Sequence, residues 1–324
     1  MLFLSNEKKL VRLAYTTDQI GSAPILTWDE LVDQPETGRS AEFIFSTWGI
    51  PCVGEAEIAC YLPKLRLLFY AAGSVQDFAR PFLRRGVRIS TAAAINAIPV
   101  AEFAMAQIIL ANKGYFQLND RYKNNGFTAA WEYGDHFNGN YQETVGIIGA
   151  GAIGKRVIKL LAPFDLNILV YDPFLPEEEA YKLGVQKAGL DEIFSTCRTI
   201  SNHVPDNDRT KNMIDYTLLK KMKPYSTFIN TGRGAQVVAD DLCKALREQP
   251  GRSALLDVTD PIEPLPPEHE LFTLPNAFIT PHRAGSHTNE VRRMGQAMID
   301  AYKRFISDGT LLYEVTEDSL TNMA

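Results

Sequence analysis

Residues 143–157 read ETVGIIGAGAIGKRV, and this stretch decides the fold. Glu143 to Ile148 form a short β-branched run, Gly149, Gly151 and Gly154 follow with G-x-G-x-x-G spacing, and Ile153 to Ala162 takes up a helical period. A glycine turn between a strand and a helix start offers unpaired N–H groups and a partial positive charge to an anion. Gly149 permits the tight turn, Gly151 presents no side chain to a pyrophosphate, and Gly154 lets helix and strand pack closely. With Ala152 and Ile153 they make a candidate dinucleotide cradle. The next strand ends LNILVYDP, which places Asp172 18 residues past Gly154, close to the roughly 20 expected of a carboxylate that accepts ribose hydroxyls. Such a carboxylate repels a ribose 2′-phosphate, and Pro173, Phe174, Leu175 and Pro176 supply no cation to hold one. NAD is therefore expected rather than NADP.

Outward from this unit, strands and helices alternate. After Glu143–Ile148, strands are expected at Asn167–Tyr171, Arg198–His203, Ser226–Asn230, Ser253–Val258 and Ala277–Thr280. Helices fall between them at 176–183, 217–222 and 239–248, the order of a doubly wound parallel sheet. The first hundred residues repeat the alternation on a smaller scale. Strands are expected there at Arg12–Tyr15, Phe43–Thr47, Leu65–Tyr70 and Val87–Ser90, with helices at 55–61 and 75–83. An apolar helical segment, Pro99–Lys113, connects the two units, and Lys123–Tyr141 reads as an irregular connection. The last helix, Glu290–Ile306, lies beyond the final strand and is expected to return to the first domain.

Composition narrows the function. The 324 residues are 45% hydrophobic and 22% charged, which excludes disorder over the whole length and accommodates about two cores. Lys and Arg number 33 against 39 Asp and Glu, without a basic run, which argues against nucleic-acid or membrane partners. Cys52, Cys60, Cys197 and Cys243 are too scattered for a CxxC metal site, so no metal is expected, and they read as buried small hydrophobes in a reducing cytoplasm. The start MLFLSNEKK breaks its apolar patch too early for a secretory signal, and Val100–Ala111 falls short of a membrane span.

Chemistry is expected at the carboxyl ends of the strands, where ligands bind in open α/β sheets. One strand runs into Thr231-Gly232-Arg233-Gly234, which presents a guanidinium suited to two-point contact with a carboxylate. Another leads to Asp257, Asp260 and Glu263, and the last leads to TPHRAG and His282. A histidine exchanges protons near neutral pH when a carboxylate at its other ring nitrogen fixes the tautomer. A loop histidine of purely structural role remains equally open for His282 on these grounds. His203, at a strand end with Val204 and Pro205 after it, is expected to line a cofactor pocket, whereas His136, His269 and His287 read as connection or surface residues.

Together GAGAIG, YDP, INTGRG, LDV with a following Glu-Pro pair, and TPHRAG resemble the D-isomer-specific 2-hydroxyacid dehydrogenase family, in its short phosphoglycerate dehydrogenase-like form without a regulatory domain. FYAAGSV resembles that family's substrate loop, and NAIPVAE its entry into the interdomain helix. The resemblance implies a Rossmann-type doubly wound sheet inserted into a smaller flavodoxin-like α/β substrate domain, with residues 105–290 binding NAD and residues 1–104 and 291–324 forming the discontinuous substrate domain. It implies interconversion of a 2-oxo acid, possible examples being hydroxypyruvate, glyoxylate and phosphohydroxypyruvate, with a D-2-hydroxy acid, by a cytoplasmic homodimer.

By the same resemblance Arg233 binds the substrate carboxylate and polarises its carbonyl, His282 is the acid/base, and Glu263 is its partner. Ala72, Gly73, Ser74 and Val75 contact the substrate. Cofactor contacts are implied for the glycine turn, Asp172, His203, Val204, Pro205, Thr231, Gly232, Asp257 (near the nicotinamide amide) and Gly285. One departure stands out. Most relatives place the glutamate five residues after the aspartate of LDV, which here is Ile262, with Glu263 one later, so either an insertion restores Glu263 or Asp260 substitutes. Arg283, where relatives often carry an aliphatic residue, adds a cation that either favours acidic substrates or points to solvent. A second reading is an NAD-sensing, corepressor-like binding protein on the same fold; the intact Arg233, Glu263 and His282 set argues against it. A formate dehydrogenase would carry glutamine as the histidine's partner, and none lies between Asp257 and His282.

Overall fold

A computed structural model describes residues 1–260 and 263–320, so Ile262 lies outside the described residues. The chain divides into two units, residues 1–97 with 286–324 and residues 98–285. These boundaries lie a few residues from the expected 104/105 and 290/291.

The first unit contains β1 (Leu2–Leu4), β2 (Ile25–Leu26), β3 (Phe43–Ser46), β4 (Leu67–Tyr70) and β5 (Arg88–Thr91). They lie side by side in the order β2-β1-β3-β4-β5, all parallel, which is the flavodoxin-like order. The second unit contributes β6 (Glu143–Ile148), β7 (Leu166–Tyr171), β8 (Gln186–Lys187), β9 (Thr199–Asn202), β10 (Thr227–Asn230), β11 (Ser253–Leu256) and β12 (Ala277–Ile279). Their order is β12-β11-β10-β9-β6-β7-β8, again parallel throughout, with the reversal between β6 and β9. Near the chain end β13 (Glu314–Val315) pairs antiparallel with β5 and closes the first unit's sheet edge.

Both faces of the second sheet are covered, which is why its strands are apolar without alternation. On one face the helix Ala152–Leu161 packs Val157, Ile158 and Leu161 with Val145, Ile147 and Val170. On the other, Leu242, Cys243, Ala245 and Leu246 of the helix Ala239–Glu248 join Phe194, Ile200, Phe228 and Leu256. The spacing of these buried residues is the i, i+3, i+4 stripe of a helix laid on a core. In the first unit the returning helix Val291–Asp308 buries Val291, Met294 and Met298 with Phe3, Phe45 and Phe69.

Several expectations are corrected. Arg12–Tyr15 is not a strand: Lys8–Ala14 is helical, with Val11 and Ala14 buried three apart on one face, a period too long for the four residues 12–15 to reveal. The first strand is instead the apolar start, Leu2–Leu4, wholly buried between β2 and β3. Residues 123–141 are not irregular throughout, because the helix Tyr115–Gly134 runs through them, interrupted at Gly126, where φ is +83°. Phe127 and Trp131, one turn apart on it, stack with ring centres 5.7 Å apart.

The connecting helix begins at Ala93, ahead of Pro99, and its 20 residues to Asn112 are long and apolar enough to cross a membrane by length and composition. Ala101, Ala104 and Ile108 bury it in the second unit's core, and buried Asn112 accepts from Thr199 Oγ1 at 2.6 Å, so it serves as a core helix. Among the cysteines only Cys197 and Cys243 are buried. Cys52 lies in an exposed loop, and Cys60 faces out from the helix Glu55–Tyr61, whose buried residue is Ile58.

Candidate active site

The turn after β6 is built by contacts at its glycines. Gly149 has φ +90°, and a Cβ there would stand 2.9 Å from the backbone of His203 and Val204. A Cβ on Gly154 would stand 1.9 Å from the Gly149 carbonyl oxygen, so only glycine lets the helix start seat against the turn. A Cβ on Gly151 would meet, beyond its chain neighbours, no heavy atom of the described residues within 4 Å. The helix beginning at Ala152 leaves the first-turn N–H groups of Ala152, Ile153 and Gly154 facing that space without intrahelical acceptors. Asp172, at the end of β7, accepts from Ala150 N at 2.7 Å with one oxygen and from Phe174 N at 2.8 Å with the other. Its carboxylate thus ties the turn to the second strand while retaining lone pairs for ribose hydroxyls. Open space at Gly151, unpaired donors and a carboxylate 22 residues on from Ala150 fit a dinucleotide without a 2′-phosphate.

After β9, His203 is buried, with Nε2 2.9 Å from Ser201 Oγ and Nδ1 3.3 Å from Thr231 Oγ1. Burial pushes its pKa down to about 3, so the ring is neutral around pH 7 and forms a wall instead of carrying a proton. A buried amide cluster then joins this loop to the arginine loop after β10. Gln236 Oε1 accepts from Asn202 Nδ2 at 2.6 Å and Arg233 N at 3.2 Å, and its Nε2 donates to Val204 O at 2.8 Å and Pro205 O at 3.0 Å. Asn230 Oδ1 accepts from Gly232 N at 3.1 Å while its Nδ2 donates to Arg233 O at 3.0 Å. These bonds shape Thr231-Gly232-Arg233. The guanidinium spends Nη1 on Gly232 O at 2.8 Å, and no carboxylate pairs with it among the described residues.

The histidine turn after β12 is held by Asp257. This side chain, 2% exposed, accepts from Thr280 Oγ1 at 2.6 Å, Arg283 N at 2.8 Å and Ala284 N at 2.8 Å. His282 N donates to the Asp257 carbonyl at 3.0 Å, and His282 itself has φ +52°, a left-handed conformation that costs on the order of 1 kcal/mol. The cap at Asp257 stabilises that geometry and fixes where the ring stands. Glu263 Oε2 lies 2.8 Å from His282 Nδ1, and its Oε1 accepts from Thr259 N at 3.0 Å. The partner at the imidazole is thus Glu263, with no bond from Asp260. Nε2 has no partner among the described residues, and the ring is about half exposed. Neighbouring Arg283 is exposed, and Gly285 closes the turn.

The first unit carries the loop Ala71–Val75 beyond β4, with Ala72 and Val75 fully buried and Gly73 and Ser74 half-buried. Asn202, Asn230 and Gln236 escape a sequence reading, although amides in otherwise apolar strand ends (SN, IN) are a signal. The capping task of Asp257 escapes it too. Of the other histidines, His136 stacks on Tyr225 at 3.9 Å, and His269 Nδ1 accepts from Leu271 N, where a solvated ring is expected.

Comparison with known proteins points to one family. Residues 105–284 match the family described as D-isomer specific 2-hydroxyacid dehydrogenase, NAD binding domain. The chain is 31% identical over 256 residues to the glyoxylate reductase of Korarchaeum cryptofilum, covering 77% of this chain and 76% of that one. It is 30% identical over 249 residues to the D-3-phosphoglycerate dehydrogenase of Methanocaldococcus jannaschii, covering 75% of this chain but only 46% of that one. The NAD-complexed D-isomer specific 2-hydroxyacid dehydrogenase of Lactobacillus delbrueckii ssp. bulgaricus superposes with a TM-score of 0.80 over 97% of this chain and 99% of that one, at 20% identity, a likeness of fold. The chain belongs to the D-isomer specific 2-hydroxyacid dehydrogenase family. It is an oxidoreductase of that NAD-dependent class, and its second unit is the NAD-binding domain.

Proposed function

We propose that this chain reduces a small 2-oxo acid to the D-2-hydroxy acid with NADH, and catalyses the reverse oxidation. The observation that carries this reading is the Glu263–His282 pair, 2.8 Å apart, with the second ring nitrogen unoccupied among the described residues. NADH, when bound, supplies the hydride; the protein supplies orientation and electrostatics. Reduction places negative charge on the former carbonyl oxygen. Protonated His282 gives that oxygen its Nε2 proton, and Glu263 holds Nδ1–H and stabilises the cation. Arg233 polarises the carbonyl and holds the carboxylate in a two-point contact, its guanidinium having no carboxylate partner among the described residues. Asp172 takes the adenosine ribose hydroxyls. His203, Val204, Pro205, Thr231, Gly232 and Gly285 line the cofactor, and the Ala72–Val75 loop receives the substrate.

An acidic partner on His282 supports a 2-hydroxyacid chemistry over a formate one, and a proton donor of this kind has no use in an NAD-sensing corepressor. Cytoplasmic residence and a homodimer belong to the same reading. The exposed aromatic face of Tyr122, Phe127 and Trp131 supports association of two copies.

The purified protein is expected to oxidise NADH when given glyoxylate, hydroxypyruvate, phosphohydroxypyruvate or pyruvate, and to do so better with NADH than with NADPH. A panel followed at 340 nm checks this; absence of turnover with every 2-oxo acid overturns the reading.

A further inference from the structure

The loop beyond β4 has its carbonyls and its amides sorted onto different partners. Thr47, just past β3, donates its hydroxyl to Ala71 O at 2.9 Å. Thr91, the last residue of β5, shares its hydroxyl proton between Ala72 O at 2.9 Å and Gly73 O at 2.8 Å. β3 and β5 flank β4 in the sheet, so two buried threonines hold three successive carbonyls from the two sides. The N–H groups of Gly73, Ser74 and Val75 have no acceptor among the described residues. Three successive backbone donors without a partner, beside carbonyls that have one, are suited to an anion. Gly73 is further confined, since a Cβ there would stand 3.3 Å from Asn96 Nδ2, while Asn96 Oδ1 accepts from Ser286 N at 2.8 Å.

We propose that Thr91 is a positioning residue for substrate capture, whose hydroxyl, by holding Ala72 and Gly73 through their carbonyls, presents the following amides to the substrate carboxylate. This rests on the reading of the chain as a 2-oxo acid reductase. Thr91 acts through the loop and touches neither substrate nor cofactor. Thr47 holds only Ala71, one peptide further from the presented amides, and supplies the comparison: losing its hydroxyl removes a buried bond of the same kind without freeing the carbonyls of Ala72 and Gly73.

The test is steady-state kinetics of the full chain with Thr91→Val, Thr91→Ser and Thr47→Val, joined to titration of oxalate into the NADH-loaded protein. Thr91→Val is expected to raise KM for the 2-oxo acid and Kd for oxalate about tenfold, within the range of one hydrogen bond. Its kcat and NADH Kd should stay within twofold of the parent, because NADH binds in the second unit. Thr91→Ser should restore both constants to within twofold. Thr47→Val should lower the melting temperature about as much as Thr91→Val does, yet leave KM and oxalate affinity within twofold. The inference is overturned if Thr91→Val leaves oxalate affinity unchanged, if Thr91→Ser fails to restore it, or if Thr47→Val weakens it equally. Oxalate affinity decides the matter even should the parent protein reduce none of the 2-oxo acids, an outcome that would sink the reductase reading alone.

Discussion

His282→Gln is expected to lower kcat by about 10² to 10⁴, the scale of losing an essential acid/base group. Glutamine keeps the size and one hydrogen bond to Glu263 but cannot give up a proton to a developing alkoxide. The backbone of this turn is set by Asp257, which accepts from Arg283 N, Ala284 N and Thr280 Oγ1 and involves no atom of the imidazole. The variant should therefore fold and bind NADH as the parent does. Stopped-flow measurement of a single turnover, with NADH affinity determined alongside by fluorescence, separates the chemical step from binding. Near-normal turnover would show that the proton comes from another group.

Arg233→Lys should act differently. Its guanidinium has no carboxylate partner among the described residues, and the Asn230 and Gln236 side chains hold the loop's backbone through Gly232 N, Arg233 N and Arg233 O. Lysine replaces a planar fork with a point charge at the same place. Losing one charge-assisted hydrogen bond costs about 1.5 to 3 kcal/mol, so kcat/KM is expected to fall by about 10- to 100-fold, with most of the loss in KM. Because Asn230 and Gln236 bond backbone atoms, the melting temperature should hardly change. Unchanged kcat/KM across the 2-oxo acid panel would remove Arg233 from substrate capture.

These expectations rest on positions that were legible in the sequence to different degrees. The turn after β6 was readable because its requirements are local: three glycines, a strand before and a carboxylate at the end of the next strand. Arg233 and His282 were readable as strand-end residues, because a parallel sheet puts all those ends on one edge. What holds them was not. Gln236 meets Asn202 34 residues away, and Asp257 meets Ala284 27 residues away, pairings set by the register of β9, β10, β11 and β12. The partner of His282 was open between Glu263 and Asp260 because spacing alone does not say which carboxylate of a loop reaches a ring 19 or 22 residues on; Glu263 is the one at the imidazole, its other oxygen accepting from Thr259 N. Elements were misread where local composition and tertiary packing disagreed. The Asn- and Gly-rich segment 123–134 is helical despite low propensity, and the helix Lys8–Ala14 is too short for its period to show.

The proposed mechanism delivers hydride and proton to C2 and O2 of one 2-oxo acid with a single handedness. Its most direct test is reduction of hydroxypyruvate or pyruvate, whichever turns over faster, with NADH deuterated at both C4 positions, followed by chiral chromatography and mass measurement of the product. The expected product is the D-hydroxy acid carrying one deuterium at C2. An L product, a racemate, or a product without deuterium would contradict that mechanism.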